Sequence, residues 1–193
     1  MEDWTDVEDE HPALGVVLET DRGSLPFALL HGEALVTCAA WALGEAGFTQ
    51  VDVGTAWEAV VEAAVDDQEP LVLHDSLCPM TPTSFLLACV ARAVESGAVV
   101  VGVRPVTDTL KTVDDQGVVG GTVDRDAALQ VTSPVVLPAT VVAALDGLPT
   151  TDLAALVAQL AARFPVVTLE APPEGRRVAD EHDVRVLEAL TRG

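Results

Sequence analysis

His74 and Asp75 close the apolar run PLVLHD (70–75). A carboxylate at the end of a buried strand can hold a divalent cation beside a nucleotide. The alternative for the same pair is an aspartate that caps the next turn and a histidine satisfied at the strand end. Arg104, Asp108 and Lys111 cluster after the following apolar run, Arg125 comes next, and Arg176 and Arg177 stand near the C-terminus. Guanidinium forks suit phosphate oxygens. A chain with 10 basic residues that places several beyond strand ends is either keeping them for an anionic ligand or pairing them with its own acids. A third segment, ETDRGSLPFALLHGEAL (19–35), lies between two apolar stretches, where nucleotide enzymes keep a glycine- and lysine-rich loop for phosphates. Here it holds Arg22 and Gly23 but no lysine.

These residues need a scaffold, and the alternation of apolar runs with 3.6-period stretches supplies one. ALGVVLE (13–19), QVDVG (50–54), PLVLHD, AVVVGVRP (98–105) and PVVTLEA (165–171) read as strands. EALVTCAAWALGEAG (33–47), AWEAVVEAAVDD (56–67), PATVVAALDGL (138–148), TDLAALVAQLAARF (151–164) and DEHDVRVLEALTR (180–192) read as helices. In TPTSFLLACVARAVESG (81–97), Thr81 is expected as N-cap, Pro82 at the first helical position and Gly97 as C-cap. The β-branched run 98–105 suits a parallel strand covered on both faces. Strands and helices alternating in this way predict a doubly wound α/β sheet. Ligands of such sheets bind beyond the carboxyl ends of the strands, which gathers residues 19–24, 74–81 and 104–111 around one crevice. TLKTVDDQGVVGGTVDR (109–125) breaks the pattern with two alternating segments around a turn composition, and predicts a protruding β-hairpin arm or a plain surface hairpin. Residues 1–12 read as an acidic flexible tail and 13–193 as a single domain.

Composition excludes some functions. The chain carries 31 acidic and 10 basic residues, a net charge of −21, and Lys111 is its only lysine. Nucleic acid and anionic membrane surfaces require a basic patch, so neither is expected as a partner. Apolar residues make up 49% at a mean hydropathy of +0.35, yet no uncharged apolar run approaches the roughly 18 residues a bilayer requires. Cys38, Cys78 and Cys89 are odd in number and lack metal-ligand spacing. A reduced, cytoplasmic setting without structural zinc is expected, with Cys89 in the core.

PVTDTLK (105–111), TVDRDAAL (122–129) and RRVADEHDVRVLEAL (176–190), with VLHDSLCP (72–79) upstream, resemble the 2-C-methyl-D-erythritol 4-phosphate cytidylyltransferases of non-mevalonate isoprenoid synthesis. The resemblance runs in the same order over residues 13–190. It implies a Rossmann-like nucleotidyltransferase fold with a mostly parallel sheet and a protruding β-arm, and a homodimer formed through that arm. In active members it implies Mg²⁺-dependent attack of a sugar phosphate on the α-phosphate of CTP, with cationic side chains stabilising charge on the phosphates. Carried over by residue, Asp108 and Arg125 stand where the polyol phosphate is held, with Lys111 and Arg104 beside them. Arg22, Gly23 and Asp75 stand in the nucleotide site, where Asp75 is also the metal candidate. Arg22 and Arg177 are the catalytic cations, Arg177 replacing a lysine.

The same resemblance marks departures. The opening loop is short, running from Thr20-Asp21-Arg22-Gly23 almost directly to Pro26 and to Phe27, where the family has a lysine. Asp21 brings negative charge toward the triphosphate position. Cys78 replaces an arginine, and Thr132-Ser133-Pro134-Val135 lacks two glutamines. Losing one transition-state donor typically costs about 10²–10³ in rate. The expectation is a cytidylyltransferase-like protein of impaired catalysis that binds a phosphorylated metabolite or a protein partner. A divergent active enzyme and a purely structural or regulatory module are the alternatives.

Overall fold

The structure, a computed structural model, describes residues 11–105, 111–113, 119–122 and 129–192. The chain begins with β1 (Leu14–Leu18), a two-residue hairpin of β2 (Leu29–Leu30) and β3 (Glu33–Ala34), α1 (Leu35–Glu45) and β4 (Thr49–Gln50). It continues through α2 (Trp57–Asp66), β5 (Leu71–Asp75), α3 (Thr83–Ser96) and β6 (Val99–Pro105). Then come β7 (Lys111–Val113), β8 (Val119–Thr122), β9 (Leu129–Leu137), α4 (Ala139–Ala143), α5 (Leu153–Ala161), β10 (Val166–Glu170) and α6 (Glu181–Leu190).

Six strands form one sheet in the order β10-β6-β9-β5-β1-β4. Neighbours are parallel except at β9, which runs antiparallel to both β6 and β5. Alternate residues of a strand face opposite sides, so both faces bury apolar side chains. Leu14, Leu71, Leu73, Val101 and Val135 pack with α2, α4 and α5, whereas Val72, Val100 and Val136 pack with Leu43 of α1 and Phe85, Leu86 and Cys89 of α3. A smaller cluster of Leu30, Leu35, Leu77, Val184 and Leu187 joins the β2–β3 hairpin to α6. β7 and β8 pair antiparallel in a separate two-stranded sheet, in the stretch that reads as a hairpin arm. Among the described residues no helix is long and apolar enough to cross a membrane. Residues 1–10 of the expected acidic tail lie outside the described residues.

The 98–105 run forms β6, which is parallel to β10 and buried over Val99–Val103, as expected, while its other neighbour β9 runs antiparallel. Two expectations are corrected. Thr81 does not cap α3; its hydroxyl donates to the Cys78 carbonyl at 2.9 Å, the helix starts at Thr83 and Pro82 takes the cap position. QVDVG extends only briefly. The strand ends at Gln50, and Asp52 Oδ1 accepts from the Gly54 N–H at 2.7 Å, a local turn that diverts the backbone from the sheet. Gly97 caps α3 in the left-handed conformation, φ 63°, as expected.

Register shifts where β6 meets β9: Val101 opposes Val135, but Val103 opposes Val131, so Gly102 alone faces Thr132, Ser133 and Pro134. The bulge accommodates a proline, which has no N–H to donate, in a central strand. It also turns the Ser133 hydroxyl toward β5. A Cβ at Gly102 would lie 2.7 Å from the Ser133 carbonyl oxygen. Gly102→Ala is therefore expected to lower unfolding stability by about 1–3 kcal/mol, as overpacking does when backbone is the obstacle. Urea denaturation measures it, and an unchanged midpoint would show that the bulge gives way.

Candidate ligand cavity

β1 and β5 lie side by side, with Leu18 opposite Asp75, and the Ser76 N–H and hydroxyl both donate to the Leu18 carbonyl. That pairing brings the loop after β1 against the end of β5. Asp21 and Gly23 turn the loop with φ of 62° and 59°, and Arg22 between them folds inward. Every nitrogen of the Arg22 guanidinium is engaged: Nε donates to Asp75 Oδ1 at 2.6 Å, Nη1 to the Thr20 carbonyl at 2.5 Å and Nη2 to the Thr151 carbonyl at 3.0 Å. The second Asp75 oxygen, Oδ2, accepts from Arg177 Nε at 3.1 Å, while Oδ1 also accepts from the Leu77 N–H. Arg177 is held there by its neighbour, because the Val178 N–H donates to the Leu77 carbonyl.

Asp75 is thus a buried carboxylate clamped between two guanidiniums; its side chain is 3% exposed, that of Arg22 5% and that of Arg177 33%. Burial by itself would raise the Asp75 carboxyl, but the Arg22 hydrogen bond, the Leu77 amide and the two guanidinium charges outweigh it and hold Asp75 below the usual range. Behind Asp75, the Ser133 hydroxyl accepts from the Asp75 N–H at 3.0 Å and pairs with His74 Nδ1 at 2.5 Å. Burial pushes His74 down to about 4, against a smaller opposite pull from Asp75. Cys78 is also buried, and its thiol is raised well above the ordinary value by burial, with the Asp75 charge acting in the same direction. Such a thiol is inert.

The clamp forms one wall of a cavity of about 510 Å³. The rest comes from the start of β9 and from Thr150, Thr151 and Asp152 at the N-terminus of α5. Thr151 Oγ1 donates to Asp21 Oδ2 at 3.1 Å, and Asp152 caps α5 by accepting from the Ala155 N–H at 2.8 Å. The TTD run before an apolar helix carries the N-cap signature that marks this wall in the sequence. Among the described lining residues two guanidiniums face three carboxylates, Asp21, Asp75 and Asp152.

Of the candidate residues, the structure brings Arg22, Asp75 and Arg177 together and leaves Gly23 as the loop's turn. Arg104 points elsewhere, donating to the Ala171 carbonyl at 2.6 Å and so tying β6 to the end of β10 rather than lining the cavity. Lys111 lies in β7. Asp108 and Arg125 lie outside the described residues.

A doubly wound, mostly parallel sheet with its polar cavity at the carboxyl ends of β1 and β5 is the architecture of a Rossmann-like nucleotidyltransferase. Two solved structures share it. The 2-C-methyl-D-erythritol 4-phosphate cytidylyltransferase of Thermus thermophilus superposes with a TM-score of 0.68 at 20% identity, covering 93% of this chain and 98% of that one. The 4-diphosphocytidyl-2C-methyl-D-erythritol synthase of Anaerococcus prevotii gives 0.68 at 15% identity over 95% and 100%. Sequence places the chain more narrowly: the family model for 2-C-methyl-D-erythritol 4-phosphate cytidylyltransferase matches residues 44–190, and the chain belongs to that family. Similar relatives carrying that name are those of Prochlorococcus marinus, 32% identical over 69% of this chain and 60% of the relative, and Saccharopolyspora erythraea, 35% identical over 68% and 59%. The chain therefore spans about three-fifths of the length of the curated relatives it matches. The family match begins after the 19–35 loop.

Proposed function

We propose that this family member has lost most or all CTP-dependent nucleotidyl transfer and works by binding a phosphorylated small metabolite in the Asp75 cavity. The observation that carries this reading is that all three Arg22 guanidinium nitrogens already donate within the protein. The guanidinium that would meet a triphosphate already spends three of its five N–H donors on Asp75 and two carbonyls, no lysine stands in the loop, and Asp21 faces the same space. Like charges about 4 Å apart repel by roughly 1 kcal/mol in water and by more at lower dielectric. The residues present do not fit a resident magnesium ion. Both Asp75 oxygens accept from guanidiniums, and the described residues hold no cluster of three His, Cys, Asp or Glu able to hold a metal.

Arg177 is the lining cation with solvent access, and the Thr150 hydroxyl, which accepts from the Asp152 N–H, keeps its own hydrogen for a hydroxylated phosphate. Arg125 and Lys111 would supply the remaining positive charge, Arg125 from a second copy paired through the β7–β8 arm. Family membership itself favours a second reading, a divergent but active cytidylyltransferase. Calorimetry separates the two. With CTP and Mg²⁺ the expected result is a dissociation constant no tighter than about 1 mM, whereas 2-C-methyl-D-erythritol 4-phosphate or a related sugar phosphate raises the melting temperature. Micromolar CTP binding followed by pyrophosphate release would overturn the proposal.

A further inference from the structure

Pro79–Thr83 line a separate groove of about 670 Å³, bounded also by the β2–β3 hairpin, α1 and the C-terminal end of α6. None of its lining residues belongs to the Asp75 cavity. Its floor is apolar: Cys38 and Met80 lie along it, and Trp41 and Leu190 remain 54% and 56% exposed. Large side chains of this kind on a concave surface mark interaction sites.

Charge at the groove is one-sided. Glu33, Glu45 and Glu174 line it. Glu45 receives one long hydrogen bond, 3.4 Å from the Thr83 hydroxyl, while the carboxylates of Glu33 and Glu174 have neither ion pair nor hydrogen bond among the described residues. The two basic side chains on the lining, His31 and Arg192, both turn to Glu188, at 3.9 and 3.5 Å. Carboxylates without partners beside an exposed indole offer a cationic side chain both a counter-charge and a π face. An acidic partner would meet a chain of net charge −21. A second copy docked about a twofold axis would set the same carboxylates against each other.

We infer that this groove is a docking site for a basic protein segment with an apolar face, its aliphatic residues lying on Trp41 and Leu190 and its lysines or arginines meeting Glu33, Glu45 and Glu174. The inference is independent of what the Asp75 cavity binds.

A fluorescein-labelled lysine–leucine peptide of about four helical turns, with leucines at i, i+3, i+4 spacing, is the probe. It is titrated by anisotropy at about 150 mM salt to screen long-range attraction. Micromolar binding is expected, and none with glutamate in place of lysine. Trp41→Ala, and separately Glu33→Lys with Glu174→Lys, should each weaken binding at least about tenfold. The same charge reversal on α2, Glu58→Lys with Glu62→Lys, should change it less than about twofold. All variants alter exposed or half-exposed side chains, and circular dichroism checks their fold. Equal weakening by the α2 reversal would reduce the effect to net charge and overturn the inference. So would absence of binding, or a dimer in sedimentation that Trp41→Ala dissociates, which would make the groove a self-interface.

Discussion

Arg22→Met is expected to lower unfolding stability by about 3–5 kcal/mol, the penalty for removing one partner of a buried ion pair. With side chains 5% and 3% exposed, Arg22 and Asp75 have surrendered their water. Without Arg22, the carboxylate keeps only Arg177 and the Leu77 amide, and the Thr20 and Thr151 carbonyls lose a donor. Methionine retains most of the aliphatic volume, so the loss reports charge rather than a cavity. The double variant Arg22→Met with Asp75→Asn removes the stranded charge and should recover part of the loss, because asparagine can still accept from the Leu77 N–H. Urea denaturation of the four proteins closes the cycle. A loss below about 1 kcal/mol for Arg22→Met, the value of an exposed pair, would show the guanidinium free in solution. The reading that it is committed internally, and withheld from a triphosphate, would then fail.

The clamp lies at the limit of what the sequence makes legible. Leu18 and Asp75 end apolar runs, and the rule that ligands bind beyond strand ends gathers residues 19–24, 74–81 and 104–111 at one crevice; of these, Asp21, Arg22 and Asp75 line the cavity, while Pro79–Thr81 line the separate groove and Arg104 points away. Which charge answers which is not local information. Arg22 and Arg177 reach Asp75 from 53 and 102 residues away. Arg104, also at a strand end, satisfies a carbonyl instead. β9 shows why a central strand can escape notice. Gln130, Thr132, Ser133 and Pro134 carry no apolar run or alternation, so the sequence reading assigns no strand there, and a bulge opposite a glycine keeps the segment in the sheet. The polar residues there are not loop residues by chemistry: Ser133 holds both His74 and the Asp75 amide.

Burial of His74 underlies a pH dependence of comparable size. His74 protonates at about 4 in the folded protein, against an ordinary value of about 6.5. As pH falls through this interval the unfolded chain binds a proton that the folded chain refuses. Stability is therefore complete above about pH 6.5 and declines toward pH 4, by about 3 kcal/mol in all. Asp75 follows later, because its depressed carboxyl contributes stability above the ordinary aspartate range and loses it only as pH drops through the still lower folded value. The two windows are thus ordered, histidine first. A charged ring would be buried with the Ser133 hydroxyl at Nδ1 and with Nε2 unpartnered among the described residues. His74→Asn preserves a polar atom near Nδ1 without a titrating ring. Its stability at pH 7 should be lower, but its loss between pH 7 and 4 should be smaller than that of the parent by about 3 kcal/mol. Urea midpoints at four or five pH values, with the imidazole signal of His74 followed by NMR, decide the matter. A ring that titrates near pH 6.5 in the folded protein would mean that water reaches His74 and that burial does not hold it neutral.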